Sequence, residues 1–248
     1  MPDHDFKSPR LHVAADLSEG MAIEAEPAQA NYLQNVLRLG AGDTVLLFNG
    51  RDGEWRAELV PLSKKRLTLR PLRRLREQVP AGDLHYLFAP LKQARLDYMV
   101  QKAVEMGAGR LQAVLTQHVQ APRVNLDRIA ANAVEAAEQC GILALPEIAP
   151  TIRLAEVLAN FDAGRSLVFC DERAPEGSAI EALKAAPRRP ISLLIGPEGG
   201  FSEPERALLL AHPATLAISL GPRILRADTA AVAALAVVQA SVGDWSDG

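Results

Sequence analysis

Two glycine-bearing turns near the C-terminal end hold the residues whose types and spacing suit chemistry best. The first is Gly196-Pro197-Glu198-Gly199-Gly200-Phe201-Ser202, directly after the apolar run Ile191-Ser192-Leu193-Leu194-Ile195. The second is Leu220-Gly221-Pro222-Arg223-Ile224-Leu225-Arg226, after Leu216-Ala217-Ile218-Ser219. Glycine reaches positive φ and lets backbone N–H and C=O groups approach a bound molecule closely. Open α/β sheets bind ligands at the carboxyl ends of their strands, so two such turns form a candidate pocket. Short strand-to-helix connections also use glycine, so the spacing alone leaves an ordinary connection open.

Other chemistries are missing their residues. A dinucleotide site needs a glycine-rich turn after the first α/β strand, yet Leu91-Lys92-Gln93-Ala94 stands there. Neither a phosphate-binding P-loop nor a nucleophilic-serine elbow occurs, and the five histidines lack metal-ligand spacing. Only two cysteines occur, Cys140 and Cys170, with no paired spacing, which argues against a disulfide framework or a zinc site and fits a reducing compartment. The first six residues are polar and acidic rather than a basic-then-apolar leader. The long Ala/Val-rich run, 229–242, is too short to cross a bilayer. These features point to the cytoplasm.

The net charge of −3 hides a local excess. Between Lys64 and Arg76 lie seven basic residues and no acid, a density that attracts a polyanion or simply forms a solvated face.

The elements that must position the turns fall into two blocks. Residues 1–76 carry short strand patterns at 10–13, 44–48, 54–60 and 66–72, with Asn49-Gly50-Arg51-Asp52-Gly53 as a hairpin signal. From Pro27 a short helix places Ala30, Leu33, Val36 and Leu37 on one face. Such a block predicts a small β-barrel of a kind that often carries nucleic acid. The stretch around Gln78-Val79-Pro80-Ala81-Gly82 marks a boundary. From there, residues 80–248 alternate strand and helix. Strands are expected at 85–90, 111–116, around Ile148, 167–170, 191–195 and 216–219, and helices at 96–107, 126–140, 154–161, 179–185, 203–211 and 228–241. That order predicts an α/β domain with a mostly parallel sheet covered on both faces.

Together, the two glycine turns, continued through Ala227-Asp228-Thr229-Ala230, closely resemble the signature of the RsmE family of the SPOUT superfamily. The resemblance runs nearly the whole chain. Val36-Leu37-Arg38, Gly42-Asp43 and Phe48-Asn49-Gly50 look like its PUA-like N-terminal barrel. Gln101-Lys102-Ala103-Val104-Glu105-Met106-Gly107 and Glu135-Ala136-Ala137-Glu138-Gln139-Cys140, with Pro146, resemble its helix motifs.

What the resemblance implies is specific. The fold would be a PUA-like RNA-binding barrel (1–76) joined to a SPOUT methyltransferase domain with a deep trefoil knot (80–248), an exception to the rarity of knots. The activity would be methylation of uridine N3 in 16S ribosomal RNA, acting as a homodimer, with S-adenosyl-L-methionine as methyl donor and no metal. Cofactor contacts fall on Leu194, Gly196, Glu198, Gly199, Gly200, Leu220, Gly221, Arg223, Ile224, Leu225 and Arg226. Uridine N3 carries a proton, so the enzyme must remove it and stabilise charge on the uracil oxygens. Arg226 is the candidate for charge stabilisation, and Asp228 or Glu198 for the base. Arg226 can instead pair with Asp228, and Glu198 can accept N–H groups of its own turn. Arg10, Arg38, Lys92 and Arg95 join the basic run as candidate phosphate contacts.

The chain departs from the family pattern at Gln117-His118, where an acid–arginine pair is usual, and at Ile142, where an arginine often follows the glycine. Asp228 stands where glutamate is commoner. The first two changes remove positive charge from the expected RNA side. They keep open a SPOUT enzyme with another RNA target, or a non-catalytic RNA-binding relative.

Overall fold

A computed structural model describes residues 5, 7–61, 63, 66–120, 123–174 and 177–246. Lys64 and Lys65 of the basic run lie outside them. The chain divides into two compact units, Met1–Pro80 with Ala137–Leu145, and Ala81–Ala136 with Pro146–Gly248.

In the first unit, β1 (Arg10–His12), β2 (Ile23–Glu24), β3 (Thr44–Phe48), β4 (Glu54–Pro61) and β5 (Leu67–Arg76) form one sheet in the order β1-β3-β4-β5-β2. The Asn49–Gly53 hairpin forms as expected, because the Asn49 Oδ1 accepts the backbone N–H groups of Arg51 and Asp52 at 2.9 Å each. Leu11, Val13, Leu33, Val45, Leu47, Ala57, Leu59, Leu67 and Leu69 fill its core. The sheet forms the expected small barrel as a half-barrel. Its end strands β1 and β2 have three and two residues, and among the described residues they do not pair.

The helix after Pro27 also departs from its pattern. Helix α1 (Pro27–Asn31) runs into a π-helical turn, Tyr32–Val36, closed by the Leu37 N–H donating to the Tyr32 carbonyl at 2.9 Å. The extra residue in that turn rotates the downstream positions by about 100°. Ala30 and Leu33 therefore stay buried while Val36 is 61% exposed. Arg38, just beyond, has φ +58°.

The second unit alternates without interruption. It comprises β6 (Leu84–Phe88), α2 (Gln93–Glu105), β7 (Ala108–Leu115), α3 (Leu126–Cys140, its last turn in the first unit), β8 (Glu147–Arg153) and α4 (Leu154–Ala159). Then come β9 (Ser166–Cys170), α5 (Ala179–Ala185), β10 (Ile191–Ile195), α6 (Glu203–Ala211), β11 (Thr215–Ile218) and α7 (Ala227–Val242). All six strands are parallel, in the order β11-β9-β10-β6-β7-β8. Leu87, Phe169, Leu167, Leu194 and Val114 are buried within it, each large apolar side chain contributing roughly 1.5–3 kcal/mol. Among the described residues, no helix is long and apolar enough to cross a membrane.

One consequence of the strand order governs the site. The two glycine turns follow β10 and β11, which are consecutive in sequence but not neighbours. Strand β9 lies between them.

Candidate active site

The first turn is held tightly. A Cβ on Gly196 would stand 2.6 Å from the Phe201 ring, and one on Gly200, at φ +65°, 2.9 Å from the Glu172 carboxylate. Ser202 caps α6 with a capping box: its Oγ accepts the Glu205 N–H, while the Glu205 carboxylate accepts the Ser202 N–H at 3.0 Å. Glu198 pairs with Arg95 of α2 at 3.1 Å rather than accepting N–H groups of its own turn. This pair is half-exposed, so its worth is well under 1 kcal/mol. Leu194 is fully buried in the sheet, so its side chain has no access to a ligand.

The second turn is open. It lines a cavity of about 300 Å³ with Leu220, Gly221, Pro222, Arg223, Ile224 and Leu225. Gly221 has φ +101° and an added Cβ there would meet nothing within 4 Å, while Ile224 is 96% exposed. Arg223 and Arg226 form no ion pair among the described residues, so the pairing of Arg226 with Asp228 does not occur. Asp228, in the first turn of α7, accepts the Thr229 N–H at 3.1 Å.

Between the turns, the end of β9 supplies the cavity's other wall through Cys170, Asp171, Glu172 and Ala174. Helix α6 takes two charges of this polar segment: Arg206 grips the buried Asp171 at 2.8 Å, and Arg173 pairs with Glu203. Arg173 holds the Glu203 carboxyl below its usual range. Burial pushes the Cys170 thiol up to about 12, so it stays protonated and is no nucleophile at neutral pH. Glu172 has no ion-pair partner among the described residues and faces both the cavity and Gly200. Sequence reasoning passes over it. The available signal is a polar residue immediately after an apolar strand, at the carboxyl edge.

Thus Leu220, Gly221, Arg223, Ile224 and Leu225 surround one cavity, with Arg226 and Asp228 at the adjoining start of α7. Gly196, Glu198, Gly199 and Gly200 do not line it, and Gly200 reaches it only through Glu172. Among the described residues no group of three or more His, Cys, Asp or Glu is arranged to hold a metal.

Residues 77–239 match the RNA methyltransferase domain, and residues 26–72 match the RNA methyltransferase PUA domain. A ribosomal RNA small subunit methyltransferase E from Rickettsia conorii is 32% identical over 236 residues, 94% of this chain and 96% of its own length. The chain belongs to the ribosomal RNA small subunit methyltransferase E family. The Bacillus subtilis member is 27% identical over 90% of this chain and 91% of its own. Among solved structures, the Neisseria gonorrhoeae member bound to S-adenosyl methionine superposes with a TM-score of 0.80 at 26% identity, covering 94% of this chain and 97% of that one. A Legionella pneumophila protein in complex with bound SAM gives 0.82 at 28% identity, covering 94% and 98%.

Within this family frame, the candidate RNA contacts sort by what already holds them. Arg10 is removed from that set: its side chain is 5% exposed and donates to Glu54 at 2.6 Å and to the Asp5 carbonyl at 3.1 Å. A buried guanidinium with a buried carboxylate partner has no face left for a phosphate. The described basic-run residues Arg66, Arg70, Arg74 and Arg76 are paired with Glu24, Glu58, Glu77 and Glu54. Arg73, Arg38 and Lys92 remain exposed without an ion pair among the described residues. Ile142 is half-buried, its N–H donating to the Ala137 carbonyl at 3.1 Å at the end of α3.

Proposed function

We propose that this chain methylates N3 of a uridine in 16S ribosomal RNA, using S-adenosyl-L-methionine. The observation that carries the reading is the cavity at the end of β9 and β11, with an uncovered Ile224 and an unpaired Glu172 on its walls. A cofactor with an aromatic base and a cationic centre fits that pairing of apolar slot and carboxylate, and about 300 Å³ is within the range of small-molecule pockets. Leu220, Ile224 and Leu225 would flank the base, and Glu172 would offset positive charge. When bound, the cofactor supplies an electrophilic methyl group, so the protein has to prepare the nucleophile.

Arg226, exposed and unpaired at the first residue before α7, stabilises the negative charge that gathers on the uracil oxygens as N3 loses its proton. Asp228 is the better base of the two candidates, since it shares the helix start with Arg226, whereas Glu198 is held by Arg95. Lys92, Arg38 and Arg73 contact phosphates and give a salt-dependent affinity.

The homodimer and the knot belong to the same proposal. Helix α7 is apolar all round and buries Ala231, Ala234, Leu235 and Val238 within its own unit. That leaves Val232, Ala236 and Val237 half-exposed for a second copy. The placement of β9 between β10 and β11, with α7 packed against α2 and α5, supports the knotted path.

The test incubates the protein with labelled S-adenosylmethionine and small ribosomal subunits lacking the N3 methyl, followed by mass-spectrometric mapping. One methylated 16S uridine, lost in Arg226→Ala, is the expected product. Cofactor binding without transfer, or a methyl on another atom, would overturn the reading.

A further inference from the structure

The departure at Gln117-His118 ties the loop after β7 to the first glycine turn. The His118 Nδ1 lies 3.0 Å from the Gly199 carbonyl oxygen and 3.2 Å from that of Gly200. Carbonyl oxygens only accept, so Nδ1 must carry the proton and donate to both, leaving Nε2 as the free acceptor in the neutral ring. One residue earlier, the Gln117 backbone N–H donates to the Glu205 Oε1 at 2.7 Å. The other oxygen of that carboxylate accepts the Ser202 N–H and Oγ–H at 3.0 and 2.9 Å. The approach is close: a Cβ on Gly199 would stand 3.3 Å from the His118 Cβ.

We propose that His118 is a positioning residue, whose Nδ1–H fixes the peptide orientation of the first glycine turn. In a trans peptide the N–H points opposite to the C=O. Pinning the carbonyls of Gly199 and Gly200 to His118 therefore turns the Gly200 and Phe201 N–H groups the other way. The Gly200 N–H is indeed taken by the Pro197 carbonyl at 2.9 Å. The turn in this orientation sets Gly200 against Glu172, and so sets the carboxylate that walls the cofactor cavity. At Gln117 the backbone, not the side chain, makes the bond to Glu205, so this contact does not depend on the residue type. His118 touches neither cofactor nor substrate in this scheme.

The proposal rests on the cofactor reading above, and its test separates the two. Long-range proton–nitrogen NMR of the imidazole in the full chain, without cofactor, is expected to show the Nδ1–H tautomer. A ring protonated on Nε2 with a bare Nδ1 would overturn it. Calorimetry with S-adenosylmethionine then compares His118→Ala, His118→Asn and His118→Gln, because asparagine keeps a donor near the Nδ1 position while glutamine moves it outward. Loss of the shared hydrogen bond is expected to weaken Kd roughly tenfold in the alanine and glutamine variants, with asparagine within about threefold of wild type. Asparagine as weak as alanine, or alanine unchanged, sinks the proposal. Should wild type fail to bind the cofactor, the functional reading fails. Amide exchange at Gly200 then decides the strap, faster exchange in His118→Ala supporting it and unchanged exchange overturning it.

Discussion

The two glycine turns occupy equivalent places, each between a parallel strand and a helix, yet the chain treats them differently. The first is gripped by Arg95, His118 and the Ser202–Glu205 capping box, with no room for a Cβ at Gly196 and a positive φ at Gly200. The second has empty space around Gly221, an Ile224 in water, and two arginines without ion-pair partners among the described residues. The contrast separates two uses of one motif. On the proposed function, the first turn frames the site, made rigid by its neighbours, and the second takes hold of the cofactor at the cost of ordering its free side chains.

The contrast is breakable by mutation. Gly196→Ala should be the most damaging, costing about 2–3 kcal/mol in denaturant unfolding, because the Phe201 ring would have to leave its packing. Gly221→Ala should cost about 1 kcal/mol, the strain of positive φ alone. Equal losses would erase the distinction between the turns. Arg226→Ala should match Gly196→Ala in size but in rate rather than stability, with kcat on 16S RNA falling roughly a hundredfold. Its unfolding free energy should stay within about 0.5 kcal/mol of wild type, since no ion pair is lost. A drop in stability matching the drop in rate would make Arg226 structural. The smallest effect is expected at Ile224→Ser, with cofactor affinity weakened roughly threefold and melting unchanged, because that side chain has no packing to lose. If melting fell instead, Ile224 would be covered in the free protein and the second turn would be closed.

Much of this is legible in residue order. The strand–helix alternation after Leu84, the parallel sheet and both glycine turns come from apolar period and glycine placement. The helix after Pro27 departs from its periodicity at Val36, while Leu37 still packs on the core, because one π-turn inserts a residue, and no residue type announces such a turn. Arg10 reads as an exposed cation in the sequence, since a lone arginine is usually solvated. Its burial depends on Glu54 and on the Asp5 carbonyl, which sequence separation does not reveal.

By itself, then, the sequence determined which segments become strands and helices, and where the backbone must turn at glycine, because those depend on local period and local sterics. Tertiary structure decided which ends meet. It placed β9 between β10 and β11, so that Glu172, far from either turn in the chain, became a wall of the cavity. It also drew Ala137–Leu145 into the first unit, where Arg76 donates to the Gly141 carbonyl at 2.9 Å. The physical reason is the same in both cases. Sheet order and loop docking are set by non-local burial and pairing, and these leave no periodic trace in the residues that take part.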